Sequence, residues 1–385
     1  MRLAYLANIR LPTEKAHGLQ IMKTCEALVR QGIVVELVVP TRRNPLEGNS
    51  FSFYGVEQCF KIHRVRNIDY LALPLPKVAG FFLQSVSFYR AAKQYLGFCR
   101  ADIYYTRDLI VAWLLSRSLS PVFYEIHAIP DRIGFWHKKT WGRCKGIIVI
   151  SNGLKDALVK QGVSETKIMV ARDAVAVDQF TRSTNRADQT RTRERLGLSL
   201  DKKIVVYTGH LYDWKGTNIL AEAAKLLPDQ IQVYVVGGTS EDVARLKNKY
   251  HHPNLHIVGW QSHSAMPDWH QVADVLVVPT SARSKIGGVY TSPLKLFEYM
   301  MSKRPIIASD IPSLREVLDE SVATFFTADS PIALAEKIQV VLANTEEGEE
   351  KAGRAYNLVR EKYSWDKRAE TIKNFIFSSQ PVLSI

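Results

Sequence analysis

Short, β-branched apolar runs alternate with amphipathic stretches along almost the whole of this chain, and the alternation breaks once and then restarts. Runs of this kind, separated by helix-period segments, build parallel sheets covered on both faces. In the first stretch Arg2–Ala7 reads as a buried strand, His17–Gln31 as a helix ended by Gly32, and Ile33–Val39 as the next strand. Further strands are expected at Asp102–Thr106, Val122–His127 and Gly146–Ile150, the last followed by a helix with Ser151 as its N-cap. The break is Asp178–Asp201, DQFTRSTNRADQTRTRERLGLSLD, which is polar and reads as an interdomain connection leading into a short helix. Strands then resume at Lys203–Thr208, Ile231–Val236, Asn254–Val258, Val275–Val278 and Pro305–Ala308, with a helix over Thr217–Leu227. The tail, Asp329–Phe377, reads as helical with a break at Asn344-Thr345.

Two rounds of this pattern in 385 residues imply two α/β domains. We expect residues 1–177 as one Rossmann-like domain and 178–364 as a second, with a C-terminal helix of about 365–385 packing back on the first. Open parallel sheets bind ligands beyond the carboxyl ends of their strands, so two sheets facing a central cleft would hold the site there.

Composition narrows the setting. Cys25, Cys59, Cys99 and Cys144 are scattered, with no CxxC pair, which suits a reduced, cytoplasmic protein and no zinc site. The opening MRLAYLANIR is too short in apolar residues for a signal segment, and no apolar run has the length of a spanning helix. Of the 51 Lys+Arg and 38 Asp+Glu, residues 1–180 hold 25 and 14, and the remainder 26 and 24. The first half therefore carries the excess positive charge. It suits an anionic partner such as a membrane surface, or simply a soluble basic face. Leu73–Phe98 is aromatic, apolar and basic; it reads as a helix lying on a membrane or as one covering the first sheet. No nucleic-acid-binding pattern occurs.

Two motifs carry chemistry. In Tyr207-Thr208-Gly209-His210 followed by Lys215-Gly216-Thr217, a strand ends at a glycine and a Lys-Gly opens a helix. Such a turn offers fixed positive charge and free N–H donors to a diphosphate, although strand–Gly–Lys turns also occur without one. In Gly287-Gly288-Val289-Tyr290-Thr291-Ser292-Pro293-Leu294-Lys295-Leu296-Phe297-Glu298, Ser292 reads as an N-cap and Pro293 as the first helical turn. Glu298 then lies about one and a half turns into the helix. A carboxylate there suits a ribose diol, or else is an ordinary surface glutamate.

The combination resembles the family 4 glycosyltransferases of the GT-B fold. SPLKLFEYMMSKRPIIASDIPSLREVL is similar to the second part of their E-x7-E element and the strand after it. LPTEKAHGLQIMKTCEALVRQG resembles their first glycine loop and helix, YEIH their acceptor-domain histidine strand, and GIIVISNGLKDAL the strand and helix before the crossover. The resemblance implies that Lys215 contacts the donor diphosphate, Glu298 the ribose, and His127 the region of the transferred sugar. It implies that Gly18 lets the first loop approach a ligand, that Thr291, Ser292, Pro293 and Leu294 offer backbone N–H groups, and that Gly259 lies against the base. The chain departs from the family at Tyr290, where a Glu usually meets the transferred sugar, and at His210, usually Arg. Lys295 replaces a usual apolar residue and is read either as restoring that positive charge or as a solvated helix face.

The activity so implied is retaining transfer of a sugar from a nucleoside-diphosphate sugar to a saccharide or lipid-linked hydroxyl acceptor, in polysaccharide or glycolipid synthesis. No Asp-x-Asp occurs, so no metal and no other cofactor is expected. The location implied is cytoplasmic, peripheral on the inner face of the plasma membrane. A degenerate partner subunit and a sugar-nucleotide epimerase are the alternatives.

Overall fold

A computed structural model describes residues 1–46, 48–97, 101–117, 120–181 and 185–379. Phe98, Cys99, residues 182–184 of the polar break and residues 380–385 lie outside the described residues. The chain divides into two compact units, Met1–Arg172 together with the chain from Trp365 onward, and Asp173–Ser364.

The first unit holds a seven-stranded parallel sheet in the order β3-β2-β1-β4-β5-β6-β7. Its strands are β1 Arg2–Leu6, β2 Val34–Pro40, β3 Lys61–Val65, β4 Ile103–Thr106, β5 Val122–Ile126, β6 Gly146–Val149 and β7 Ile168–Val170. The sheet reverses direction of growth between β1 and β4, which pair in register Leu3 with Ile103 through Leu6 with Thr106. The first helix, Ala16–Arg30, covers one face. The C-terminal helix Trp365–Ser378 packs against it, burying Ala369, Ile372 and Ile376, and Phe375 meets Phe123 edge-on at 5.9 Å.

The second unit holds a six-stranded parallel sheet in the order β10-β9-β8-β11-β12-β13. Its strands are β8 Lys203–Thr208, β9 Ile231–Val236, β10 Leu255–Gly259, β11 Val275–Val278, β12 Ile306–Ser309 and β13 Thr324–Phe326. β8 shows why continuous apolar runs form central strands. Ile204 and Val206 face one core, with Phe297 and Met300, while Val205 and Tyr207 face another, with Leu220 and Val233. The reversal here lies between β8 and β11.

The polar break leads into a short helix, as its sequence suggests: Arg186–Arg195, started by the Asn185 side chain accepting from Ala187 N–H at 2.6 Å. It packs on the helix Met266–Val272, and buried Arg193 donates to the Val272 carbonyl at 2.7 Å and to Asp274 at 2.8 Å. A charged helix can be half-buried when its guanidinium groups find carbonyl and carboxylate acceptors. One expectation needs correction: Ser292 is not an N-cap. The helix begins at Leu294 with Pro293 in the cap position, and Ser292 Oγ instead accepts from the Asp173 backbone N–H at 3.0 Å.

Candidate functional site

In a parallel sheet, loops leaving neighbouring strands in opposite directions open a crevice at the reversal point. In the second unit those loops are 209–216, after β8, and 279–293, after β11. They carry most of the residues singled out in the sequence.

Gly209 has φ of 128°, and a Cβ there would come within 3.0 Å of Lys295 Nζ. Gly216 has φ of 74°, and a Cβ would stand 1.7 Å from the Pro279 carbonyl oxygen. Only glycine lets these two loops touch. The sequence Lys215-Gly216 is thus a packing requirement that also delivers Lys215. Lys215 Nζ lies 4.0 Å from the centre of the Trp214 ring. Burial lowers its pKa to about 8, with Asp173 opposing.

Lys295 is not a solvated side chain. It is buried, its Nζ sits 3.4 Å from the centre of the Tyr207 ring, and it has no hydrogen-bond partner. Burial, then repulsion from Lys215, holds its ammonium well below the ordinary lysine range, while Glu298 pulls the other way. A buried ammonium on an aromatic face beside a second lysine has the chemistry to pair with an anion.

Glu298 lies on the same helix, Leu294–Met301, and is also buried. Burial alone would raise its carboxyl, but the charge and hydrogen bond of His263, with His270 and Lys295, outweigh that and lower its pKa. His263 Nε2 stands 2.8 Å from Glu298 Oε1. Sequence reasoning missed His263, which sits in a one-turn helix with no motif around it. Tyr299, next along, holds the end of β8: its hydroxyl accepts from Thr208 N–H at 2.7 Å. One helix therefore fixes both the carboxylate and the strand end that precedes the glycine loop.

His210 stacks on Tyr212, centroids 5.1 Å apart, and its carbonyl accepts from the Tyr207 hydroxyl at 2.7 Å. Tyr290 ends the turn Ile286–Tyr290, and Thr291 and Ser292 are buried between it and the helix. Gly259 closes β10, its carbonyl accepting from Gly237 N–H at 2.7 Å, and Trp260 beyond it is half exposed.

In the first unit the reversal point opens a cavity of about 450 Å³. Asn8 and Ile9 reach it from β1, Arg107 and Asp108 from β4, Ile126 and Ala128 from β5. Residues on the opposite face of β5 meet the first helix and the C-terminal helix. Glu125 is fully buried there, and His127 Nε2 lies 2.5 Å from its Oε1. Burial, then Arg107, lowers the His127 pKa to about 4. Gly18 is buried in the first helix, and a Cβ would fall 2.1 Å from the Tyr54 hydroxyl, so the glycine makes room for Tyr54. Among the described residues no three His, Cys, Asp or Glu side chains gather as a metal site, and no helix is long and apolar enough to cross a membrane.

Two doubly wound parallel units, each with loops gathered at its reversal point, define the GT-B class. The chain belongs to the family 4 glycosyltransferases: the model described as Glycosyltransferase Family 4 matches residues 18–179, and that described as Glycosyl transferases group 1 matches residues 202–344. The sucrose-phosphate synthase of Thermosynechococcus elongatus superimposes over 99% of this chain and 100% of its own, with TM-score 0.79 and 19% identity. Anabaena HepE in complex with UDP-glucose does so over 98% and 100%, with TM-score 0.76 and 16% identity. Among curated relatives, a D-inositol 3-phosphate glycosyltransferase of Xylanimonas cellulosilytica is 26% identical over 56% of this chain and 52% of its own length. The chain thus aligns with about half the length of that relative.

Proposed function

We propose that this chain transfers a sugar from a nucleoside-diphosphate sugar to a hydroxyl acceptor with retention, the second unit binding the donor and the first the acceptor. The observation that carries this reading is the meeting of Lys215 and buried, unbonded Lys295 at the Gly209 loop. Two ammonium groups beside a glycine loop that leads into a helix N-terminus match a diphosphate, and Glu298 matches a ribose diol. UDP is the nucleotide to try first, since HepE was crystallised with UDP and UDP-glucose.

In the reaction the sugar C1–O bond to the β-phosphate breaks as the acceptor oxygen bonds C1 on the same face. The acceptor proton passes to the departing phosphate oxygen. Lys215 and Lys295 stabilise the charge that grows on that phosphate, the part a metal takes in other transferases. Neutral His127 does not line the cavity but is partly exposed just past the end of β5, where we take it to accept a hydrogen bond from a hydroxyl of the transferred sugar. Turnover of UDP-sugars in chelator, with the anomer of the product read by NMR, tests this. Activity only after Mg²⁺ is restored would remove the metal-free step, and an inverted product would remove retention.

The acceptor side points to a lipid-borne substrate in a polysaccharide or glycolipid pathway, at a membrane's inner face. Val78, Phe81 and Phe82 of the helix Lys77–Leu96, and Phe135 and Trp136 of the helix Phe135–Arg143, are exposed. Phe81 and, from the second helix, His137 border the same cavity. Lys139 Nζ lies 5.0 Å from the centre of the Phe135 ring, and Lys77 and Lys138 are neighbours of these residues in sequence, a pattern suited to a face that rests on anionic headgroups. Flotation with anionic vesicles at low salt should carry the protein up. A Phe135→Ser/Trp136→Ser variant should stay behind, and no flotation of the unaltered chain would remove the membrane from this account.

A further inference from the structure

Glu125 holds a dense set of hydrogen bonds in the first unit. Its Oε1 accepts from Gln20 Nε2 at 2.7 Å and from Arg368 Nη2 at 2.8 Å, and lies 2.5 Å from His127 Nε2. Its Oε2 accepts from the Tyr105 hydroxyl. Gln20 cannot turn its amide round, because its carbonyl oxygen accepts from Arg107 Nη1 at 2.7 Å. Arg368 comes from the C-terminal helix and is fixed in turn, donating to Thr24 Oγ1 at 3.0 Å and to the Arg172 carbonyl at 3.0 Å. Glu125 and Arg368 are 243 residues apart in sequence and share the core of one unit.

We infer that Glu125 and Arg368 are positioning residues: Arg368 keeps Glu125 an acceptor, and Glu125 thereby fixes His127 as the Nε2–H tautomer, leaving Nδ1 as the atom that accepts from substrate. This rests on the proposed role of His127 as a substrate-facing residue. The chemistry follows from donor counting. A carboxylate already taking hydrogen bonds from an amide N–H, a guanidinium and a phenol has only acceptor capacity left, so the imidazole nitrogen facing it carries the proton. A neutral imidazole with Nε2 protonated has a bare Nδ1.

The charges around the pair set the direction of its titration. From the first helix His17 and Cys25 face it, from β1 Tyr5, from β4 Tyr105 and Arg107, and from the C-terminal helix Arg368. Burial would raise the Glu125 carboxyl, but Arg368, then His127 and Arg107, overcome it and lower its pKa well below the usual range. Arg368 also lowers the His127 pKa. Removing the guanidinium should therefore raise both values, bringing protonation of the pair into the working range from the acid side.

The test is the tautomer of His127 in the full chain with ¹⁵N-labelled histidine, the signal among the ten histidines assigned by its loss in His127→Asn. We expect a protonated Nε2 and a bare Nδ1 at pH 7 in the unaltered protein. We expect mixed tautomers in Glu125→Gln and an imidazolium forming at higher pH in Arg368→Met. In turnover, Arg368→Met should move the acid limb of kcat upward by about one pH unit. It should lower kcat by roughly 10-fold or more, with KM for the donor within about 3-fold, because the donor lysines lie in the other unit. Arg368→Lys should keep the limb near its original place and serves if Arg368→Met does not fold. A protonated Nδ1 in the unaltered chain, or an unchanged tautomer in Glu125→Gln, would overturn the inference whether or not the chain transfers a sugar. Loss of transfer with the tautomer intact would instead count against the proposed activity.

Discussion

Lys295 shows how much a single side chain can carry. An ammonium buried on the Tyr207 ring without a hydrogen-bond partner costs stability, and the proposed diphosphate would recover that cost by pairing with it. Lys295→Met, of similar shape, should therefore stabilise the free protein by roughly 1–3 kcal/mol in urea melts and weaken UDP binding in calorimetry. A variant less stable and equally tight for UDP would contradict its role as an anion ligand. Because the Lys215 pKa is held down at about 8, and that of Lys295 is also lowered from its ordinary value, UDP binding between pH 8 and 9 should take up protons. Calorimetry in buffers of different ionisation enthalpy reads that uptake directly, and it should shrink in Lys295→Met. For Glu298→Gln, loss of charge-assisted bonds of about 1.5–3 kcal/mol each predicts roughly 10- to 100-fold weaker UDP binding. Lys215 and Glu298 were legible in sequence because a glycine turn and a helix start surround them. His263 and Arg368 were not, since each acts through a distant partner: Glu298 lies 35 residues from His263, and Glu125 lies 243 from Arg368.

At the scale of elements, the central strands were the easiest to read and the edges the hardest. β8, β9 and β11 fall where their unbroken apolar runs put them, since both faces of each are buried. β3, KIHRV, alternates with polar residues at a sheet edge, and β7 and β13 are three residues long, so none of them offers a period to detect. Asn344 does break the tail, as its side chain accepts from Glu347 N–H and starts the last helix of the second unit. The loop 209–216 depends on Gly216 for its contact with the Pro279 carbonyl. Gly216→Ala costs about 1–2 kcal/mol for its left-handed backbone and must also displace the Pro279 carbonyl. Denaturant midpoints should fall and UDP binding should be lost together. A fully stable Gly216→Ala that still binds UDP would show that the two loops are free to part.

For the whole molecule, three histidines are folded neutral: His17 with its pKa lowered to about 3, and His127 and His270 to about 4, burial being the main cause in each. In the unfolded chain they titrate near 6.5, so between pH 6.5 and 4 the unfolded state binds more protons and stability falls as pH falls. Glu125 adds to the loss at the lower end of that range. Urea midpoints measured from pH 7 to 4 should decline throughout, and a flat profile would mean that these imidazoles are not held neutral. The C-terminal helix has its own consequence, since the first unit is closed by residues that follow the second. Ending the chain at Ser364 removes Arg368 from Glu125 and Ile372 and Ile376 from the core, and should leave the first unit unable to fold cooperatively.

We propose that the second unit holds a nucleoside diphosphate between Lys215, Lys295 and Glu298 without a metal. Thermal unfolding of the full chain with UDP, GDP, TDP and ADP, each with and without chelator, tests it most directly. A nucleotide at 100 times its dissociation constant adds about 2.7 kcal/mol. We predict a rise with one of the four that chelator leaves unchanged and that Lys295→Met reduces. No rise with any of them in a folded sample, or a rise that chelator abolishes, would contradict the account.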